Sequence, residues 1–413
     1  MRDLASICTI EKVWALEGKD KVQGASMVEN SYEAMVSKDI QPGQLVAFIQ
    51  EGAILPVKEQ WEWLRKRCYK EAVNGFVIKP LKFASIKSWG LIVPLNELGL
   101  TEGEIRRLKA GDDITDALEI RKYEPEEDAS PTKGSGKKAY PKWVKFCLSH
   151  SLTRWIGRIW QKRHQNSAGG FPTDLISKSD ETTIQNCKGI LEKYADDEVV
   201  VTAKIEGQSF TVVPVIKNGR FKTAYVCSRN NAYTLEDKSI FWDMMRKYDI
   251  VNKMKTLWKK EKKAYILQGE QAGPTIQNNI YNFKENQWFL FEVKDYKTLE
   301  QGTYAQQDNV AKYFGMKVVP LLWAGTLKDI MPDVDKAVAF AEKAAWKPVD
   351  DMDIKSFLAE DGKLWKDYLQ HEGVVVRTVN FDKDRNIGCS FKVKNYDYAE
   401  KGLTEIAKIA KKM

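Results

Sequence analysis

The sequence predicts an α+β protein: a small OB-type β-barrel at the N-terminus, then a larger C-terminal domain of antiparallel sheets and short helices. Three observations carry this. Short β-type runs separated by turns fill residues 4–95, a tract rich in Glu, Pro, Ser, Gly and Lys interrupts the chain at 126–138, and strand-type runs resume densely after Val199. At 413 residues the chain is too long for one ordinary core. The expected division is an OB-like module over 1–100, a connector over 101–165 and the C-terminal domain over 166–413.

The barrel rests on runs at Ile7–Trp14, Ala25–Val28, Ala34–Val36, Leu45–Ile49, Phe76–Ile78 and Leu91–Val93. Gln41-Pro42-Gly43-Gln44 is a turn feeding the fourth run, and Gln60–Arg67 is helical in character. Five or so strands with a late helix describe an OB fold, which commonly binds oligonucleotides. Lys79, Lys82 and Lys87, interleaved with Phe83 and Trp89, either track a phosphate backbone or form an ordinary barrel edge. In the connector Glu102–Leu108 reads as helix. Leu152, Trp155, Ile156, Ile159 and Trp160 then recur at helical spacing, with Arg154 and Arg158 on the other side. That basic amphipathic helix packs on the next domain or touches nucleic acid.

Composition narrows the classes. With 43% hydrophobic and 30% charged residues the chain is of soluble globular type, and its net charge of +8 permits a polyanionic partner without demanding one. Six scattered cysteines with no C-x-x-C pair, and only three histidines, argue against structural zinc and suit a cytoplasmic or nuclear compartment. The N-terminus lacks the apolar core of a signal peptide, and no apolar run approaches membrane-spanning length.

In the C-terminal domain a β-branched run, Val199-Val200-Val201-Thr202, climbs to Lys204, the chain turns at Glu206-Gly207, and a second apolar run leaves from Phe210. Alone this is a polar hairpin or a nucleophilic lysine at a strand lip. Further strand ends follow: Tyr225–Cys227 before Arg229, Tyr265–Gln268 before Glu270, and Trp288–Val293, where period 2 puts Phe289 and Phe291 on one face and Glu292 on the other. Helical segments are expected around Val334–Ala345 and Ile354–Leu358. Glu372 then opens a valine-rich run, and Ser390–Lys394 places Lys392 and Lys394 on one strand face.

This ordered series resembles the motif ladder of the covalent nucleotidyltransferases, the ATP-dependent ligases and mRNA capping enzymes. In that superfamily a K-x-D/E/H-G lysine attacks a nucleotide α-phosphate. The matching residues are Lys204 and Gly207, Arg229, Glu270, Phe291 and Glu292, Glu372, then Lys392 and Lys394. The resemblance implies that Lys204 is the nucleophile, that Lys392 and Lys394 assist it, and that Arg229, Glu270, Phe291 and Gly207 hold the nucleotide. Glu206, Glu292 and Glu372 would hold Mg2+ or Mn2+. The chemistry suits these types. A lysine amine is inert while protonated, so nearby positive charge must disfavour its ammonium form, and carboxylates suit a hard cation.

The β-rich module comes first and only 19 residues follow Lys394. That order resembles nick-sealing RNA ligases with an N-terminal OB module, rather than DNA ligases or GTP-using capping enzymes, which carry it last. Phe171-Pro172, Lys178, Asp180-Glu181 and Ile184-Gln185-Asn186 match the family's segment before the lysine, as do Gly273-Pro274 and Ile276-Gln277 after the Gly-Glu motif. The resemblance implies a monomeric, membrane-independent RNA ligase, using ATP to join 3′-OH and 5′-phosphate ends of nicked duplexes. Lys79, Lys82, Lys87, Arg154, Arg158 and Lys178 are its candidate RNA contacts. The chain departs from the pattern at Ala203, usually an acid, at Glu206, usually Asp, and at Gln208, usually Thr. An RNA-binding protein with an inactive transferase domain is the non-enzymatic alternative.

Overall fold

The β-type runs of the N-terminal third become a five-stranded antiparallel sheet in a computed structural model, which describes residues 4–83, 86–123, 168–178, 181–233, 236, 239–359, 368–401 and 403–410. Its order is Gly90–Pro94, Leu45–Gln50, Ala5–Ala15, Val22–Met27, Glu33–Ser37. The sheet curls until its edges nearly meet, the Trp89 N–H donating to the Glu33 carbonyl at 3.2 Å. A second sheet, Arg121–Lys122, Ala53–Leu55, Gly75–Val77 and Tyr69–Lys70, completes the module.

The expected boundary at residue 100 falls short. Ile114, Leu118 and Ile120 lie in the same buried cluster as Ile7, Leu55 and Phe76. Thr115 Oγ1 accepts the Leu4 and Ala5 N–H groups at 2.9 and 3.1 Å. Residues up to Lys122 therefore belong physically to the barrel, held by an apolar set too short and irregular to read as periodic. The helix expected to carry Arg154 and Arg158 lies outside the described residues.

The C-terminal domain stands on two sheets. One has seven strands, ordered Ala168–Gly170, Asn231–Tyr233, Arg220–Cys227, Gln208–Lys217, Tyr265–Ala272, Gln287–Asp295, Lys317–Val318, all antiparallel except the last pair. Helices Ile240–Lys247, Ile250–Glu261 and Tyr304–Phe314 bury their apolar residues against it, filling a core around Phe210, Trp288 and Phe314. The other has four, ordered Leu321–Thr326, Glu198–Ala203, Gly373–Thr378, Ser390–Lys394, with the helix Val334–Lys343 against it. Residues 204–207 pass from the second sheet to the first, so Lys204 sits at their junction.

Two elements differ from expectation. Ile354–Leu358 is part of a strand, Asp353–Leu358, zipped antiparallel to Ala344–Asp350. Five residues are too few to hold a helix against a pairing partner. At Phe291 the strand carries a β-bulge: Glu292 faces Gln268 but Leu290 already faces Gly269, leaving Phe291 unpaired. Among the described residues no helix is long and apolar enough to cross a membrane.

The two modules share a core. Tyr396, two residues after Lys394, is fully buried among the barrel's Phe48, Trp89 and Ile92, its ring edge-on to Trp89 at 5.0 Å. Lys87 pairs with Glu342, and the Ser31 N–H donates to the Gln185 carbonyl at 2.8 Å. The Tyr396 hydroxyl has no hydrogen-bond partner among the described residues. Tyr396→Ala should therefore destabilise the protein by about 3–5 kcal/mol in urea unfolding, while Tyr396→Phe should leave it nearly unchanged.

Candidate active site

A cavity of about 1460 Å³ opens where the two sheets and the barrel meet. Its walls include Lys204, Glu206, Gly207, Arg229, Glu270, Phe291, Glu372, Lys392 and Lys394, so the structure brings nine of the ten expected catalytic, nucleotide and metal residues to one space.

Backbone pairing fixes their relations. Ala203 faces Val374, the Lys204 N–H donates to the Gly373 carbonyl at 3.0 Å, and Gly373 faces Lys394 on the next strand. Three adjacent strands thus carry Lys204, Glu372 and Lys394 at one level. Gly373 is required there: φ is +157°, and a Cβ would stand 2.1 Å from the Val393 carbonyl oxygen. Gly207 is required for close approach too, since its Cβ would lie 2.2 Å from the Gln271 oxygen. The β-bulge re-aims Phe291 into the cavity, where the Arg377 guanidinium lies 5.8 Å from its ring centre.

Lys204 Nζ donates to Glu372 Oε2 in an ion pair whose side chains are 28% and 23% exposed. Burial alone would lower its pKa, but Glu372, Glu206 and Glu270 outweigh it and hold the ammonium above the ordinary lysine value. Glu206 shows the opposite side of this crowding. Burial and the Glu372 charge raise its carboxyl to about 8, while Lys204 and the Tyr398 hydroxyl pull it down. Two tyrosines fix Glu206 in place: Tyr281 Oη accepts its backbone N–H at 2.9 Å, and Tyr398 Oη donates to its carboxylate at 3.1 Å.

These two carboxylates fit a divalent cation. They are hard oxygen donors, crowded enough that one retains a proton, and a positive ion between them relieves that repulsion. Glu292 does not join them. It is 5% exposed, off the cavity wall, and faces the Arg377 guanidinium at 3.8 Å. Burial raises its pKa, against the lowering pull of Arg377 and Lys294. No group of three or more His, Cys, Asp and Glu is placed to hold a metal among the described residues.

Arg377 went unread in the sequence. Its buried guanidinium donates to Glu181 Oε1 at 2.5 Å and to the Phe291 carbonyl at 2.7 Å, while Ser390 Oγ donates to the other oxygen of Glu181 at 2.6 Å. Burial opposes ionisation of the pair; their mutual attraction prevails, keeping Glu181 below the usual carboxylate range and Arg377 above its own. The barrel's share of the wall was unread as well, with Glu51, Arg121, Lys122 and Tyr123 facing the cavity. Nothing in their spacing signals this, because only the docking of the two modules brings them there.

Among the candidate RNA contacts, Lys79 and Lys82 are exposed, and Lys178 lies on the cavity wall with Nζ donating to Asn230 Oδ1 at 2.9 Å. Lys87 is committed to Glu342. Gln208, the unusual residue after Gly207, is buried and accepts from Gln271 at 3.1 Å.

Comparison with known proteins agrees with this geometry. Residues 197–394 match the RNA ligase family and residues 4–95 an OB-fold domain. No curated protein matches the chain by sequence. Among solved structures, a lysine-to-alanine variant of Naegleria gruberi RNA ligase with ATP and Mn superposes with a TM-score of 0.70 at 20% identity, over 97% of this chain and 98% of that one. The same ligase with PPi gives 0.70 at 21% identity, over 97% and 99%. A lysine-to-methionine variant with AMP and Mn gives 0.68 at 20%, over 98% and 100%. These likenesses establish a shared fold along nearly the whole chain. With an OB-fold match in front, residues 197–394 form a domain similar to the RNA ligase family.

Proposed function

We propose that this protein is an ATP-dependent RNA ligase that works through a covalent lysine–AMP adduct and seals nicks in duplexes. The observation that carries the reading is the single cavity shared by Lys204, Glu372, Glu206, Glu270, Arg229, Phe291, Lys392 and Lys394. That the Naegleria structures hold ATP, AMP and Mn supports the choice of nucleotide and metal.

In this reading the purine lies against Phe291, Glu270 accepts from the ribose hydroxyls, and Arg229 takes a ribose or phosphate oxygen. Lys392 and Lys394 face the phosphates, where their charge favours the crowded transition state over the ground state. Lys204 gives up its proton and its Nζ attacks the α-phosphorus. A P–N bond forms, the P–O bond to the β-phosphate breaks, and pyrophosphate leaves. Glu206 and Glu372 would hold a Mg2+ or Mn2+ ion, which would supply positive charge disfavouring the Lys204 ammonium and neutralising the α-phosphate. An RNA 5′-phosphate oxygen next attacks the AMP phosphorus, freeing Lys204. Finally the 3′-OH attacks the RNA phosphorus, closing the phosphodiester and releasing AMP.

The barrel contributes the exposed Lys79 and Lys82 as phosphate contacts, hence without sequence preference. Lys178, Arg154 and Arg158 complete the proposed RNA-binding set. The enzyme acts as a monomer, away from membranes, in the cytoplasm or nucleus.

Incubation with α-labelled ATP and Mg2+ or Mn2+ should label the protein covalently, with acid-labile, base-stable chemistry, and Lys204→Ala should abolish the label. Label on Lys204→Ala equal to wild type refutes the mechanism. GTP labelling as well as ATP would indicate a capping-type donor, and equal sealing with a DNA 3′-OH would indicate a DNA nick sealer.

A second expectation concerns Glu206. Its folded pKa is about 8 against an ordinary 4.5, so between these values the folded protein keeps a proton that the unfolded chain has lost. Metal-free stability should fall as pH rises through that window and level off above it. Glu206→Gln has no such proton. Thermal melts of the variant should coincide with wild type near pH 4 and exceed it increasingly up to about pH 8.

A further inference from the structure

One wall residue comes from the barrel and yet touches Lys394 of the C-terminal domain directly. Glu51 Oε1 accepts a hydrogen bond from Lys394 Nζ, joining residues 343 positions apart. Their side chains are only 14% and 15% exposed, so water screens the pair weakly.

Both partners are held rigidly. Glu51 follows the strand Leu45–Gln50 and precedes Gly52, whose φ of +83° suits glycine in the turn to Ala53–Leu55. The Glu51 N–H donates to the Trp89 carbonyl at 3.1 Å, the Gly52 N–H to that of Ile78 at 2.9 Å, and the Gly52 carbonyl accepts from Tyr123 at 2.7 Å. On the other side Lys394 pairs with Gly373, the Asn395 N–H donates to the Glu372 carbonyl at 2.9 Å, and Tyr396 plugs into the barrel core. The rigid turn therefore meets a lysine whose backbone is already locked beside Glu372.

We propose that Glu51 is a positioning residue for lysine adenylylation: it holds Lys394 from the barrel side, so that the ammonium stands aimed at the phosphates before nucleotide arrives. An ammonium has three N–H donors, so a hydrogen bond to Glu51 does not by itself preclude bonds to phosphate oxygens. A lysine side chain otherwise loses substantial rotamer freedom on binding, and fixing it in advance places that loss in folding rather than in the reaction. The transferase domain then depends on the barrel for the orientation of its own lysine, independently of any RNA contact.

This inference rests on the reading of Lys204 as nucleophile and Lys394 as a phosphate-facing group. Its test is single-turnover labelling of the full-length protein with α-labelled ATP, at saturating and limiting nucleotide. Glu51→Gln keeps the shape and removes the charge. It should lower the maximal rate about tenfold or more, with half-saturating ATP shifted less than about threefold. Glu51→Asp, which keeps the charge, should recover at least half of that loss on a logarithmic scale, and it serves as the probe if the Gln variant folds poorly. Glu342→Gln breaks another inter-module pair, Lys87–Glu342, away from the cavity, and should stay within about twofold of wild type. A Glu51→Gln rate equal to or above wild type overturns the proposal, as does an equal loss in Glu342→Gln, which would mean docking alone. Either result leaves the lysine–AMP reading standing; absence of label from the wild type refutes both.

Discussion

The ion pair between Lys204 and Glu372 is the constraint on which the site depends. Its partners come from neighbouring strands of the four-stranded sheet, and the register Ala203–Val374 sets their distance. The chain beyond Lys204 must then leave for the seven-stranded sheet, which demands close backbone approach at Gly207. Glu206, Tyr281 and Tyr398 fill the crossing, and the hydrogen bonds among them keep its polar groups satisfied. In the metal-free protein this pair stabilises the Lys204 ammonium, the form in which a lysine amine is not nucleophilic. In the proposed reaction, activation then calls for a competing cation, and the same acids that hold the ammonium are the ones suited to receive it.

A second buried ion cluster supports the floor opposite. Arg377 leaves the same strand as Glu372, but its guanidinium is spent on Glu181, Glu292 and the Phe291 carbonyl. It ties the bulged strand and the segment before Lys204 to one charge. Removing one member would leave the others unpaired in a weakly screened interior, so the network specifies geometry at least as much as it adds stability. Lys294 lies behind it, fully buried and paired with Asp384. Glu292 belongs to this framework rather than to the cavity.

Much of this was legible in the sequence for a definite reason. Lys204, Glu270, Glu372, Lys392 and Lys394 lie in or next to short apolar strand-type runs, where strand periodicity and local chemistry agree, so their order along the chain translates into adjacency in space. The barrel runs were legible on the same grounds. Illegible features depended on pairing at a distance. The bulge at Phe291 arises from register against Gly269, and the strand Asp353–Leu358 from a neighbour that overrides a short ambiguous run. The packing of residues 111–122 into the barrel, and the arrival of Glu51 beside Lys394, follow from docking that no local pattern encodes.

The departures around the nucleophile gain a physical account from the same geometry. Ala203 is buried, its N–H bound to the Pro320 carbonyl at 2.9 Å, at a position whose small side chain adds no further acid to an already crowded set. Gln208 is paired with Gln271 across the sheet and satisfies a buried amide that a threonine could not reach as far to meet. Glu206 is the most telling. Its carboxylate meets the Tyr398 hydroxyl, and Tyr398 lies on the helix that begins at Tyr396, inside the shared core of the two modules. A side chain shorter by one methylene would draw back from that hydroxyl. The longer acid thus links the Lys204 turn to the segment that anchors the barrel, so that the same short stretch, Lys394 to Tyr398, joins a cavity-lining lysine, the barrel plug and the acid clamp.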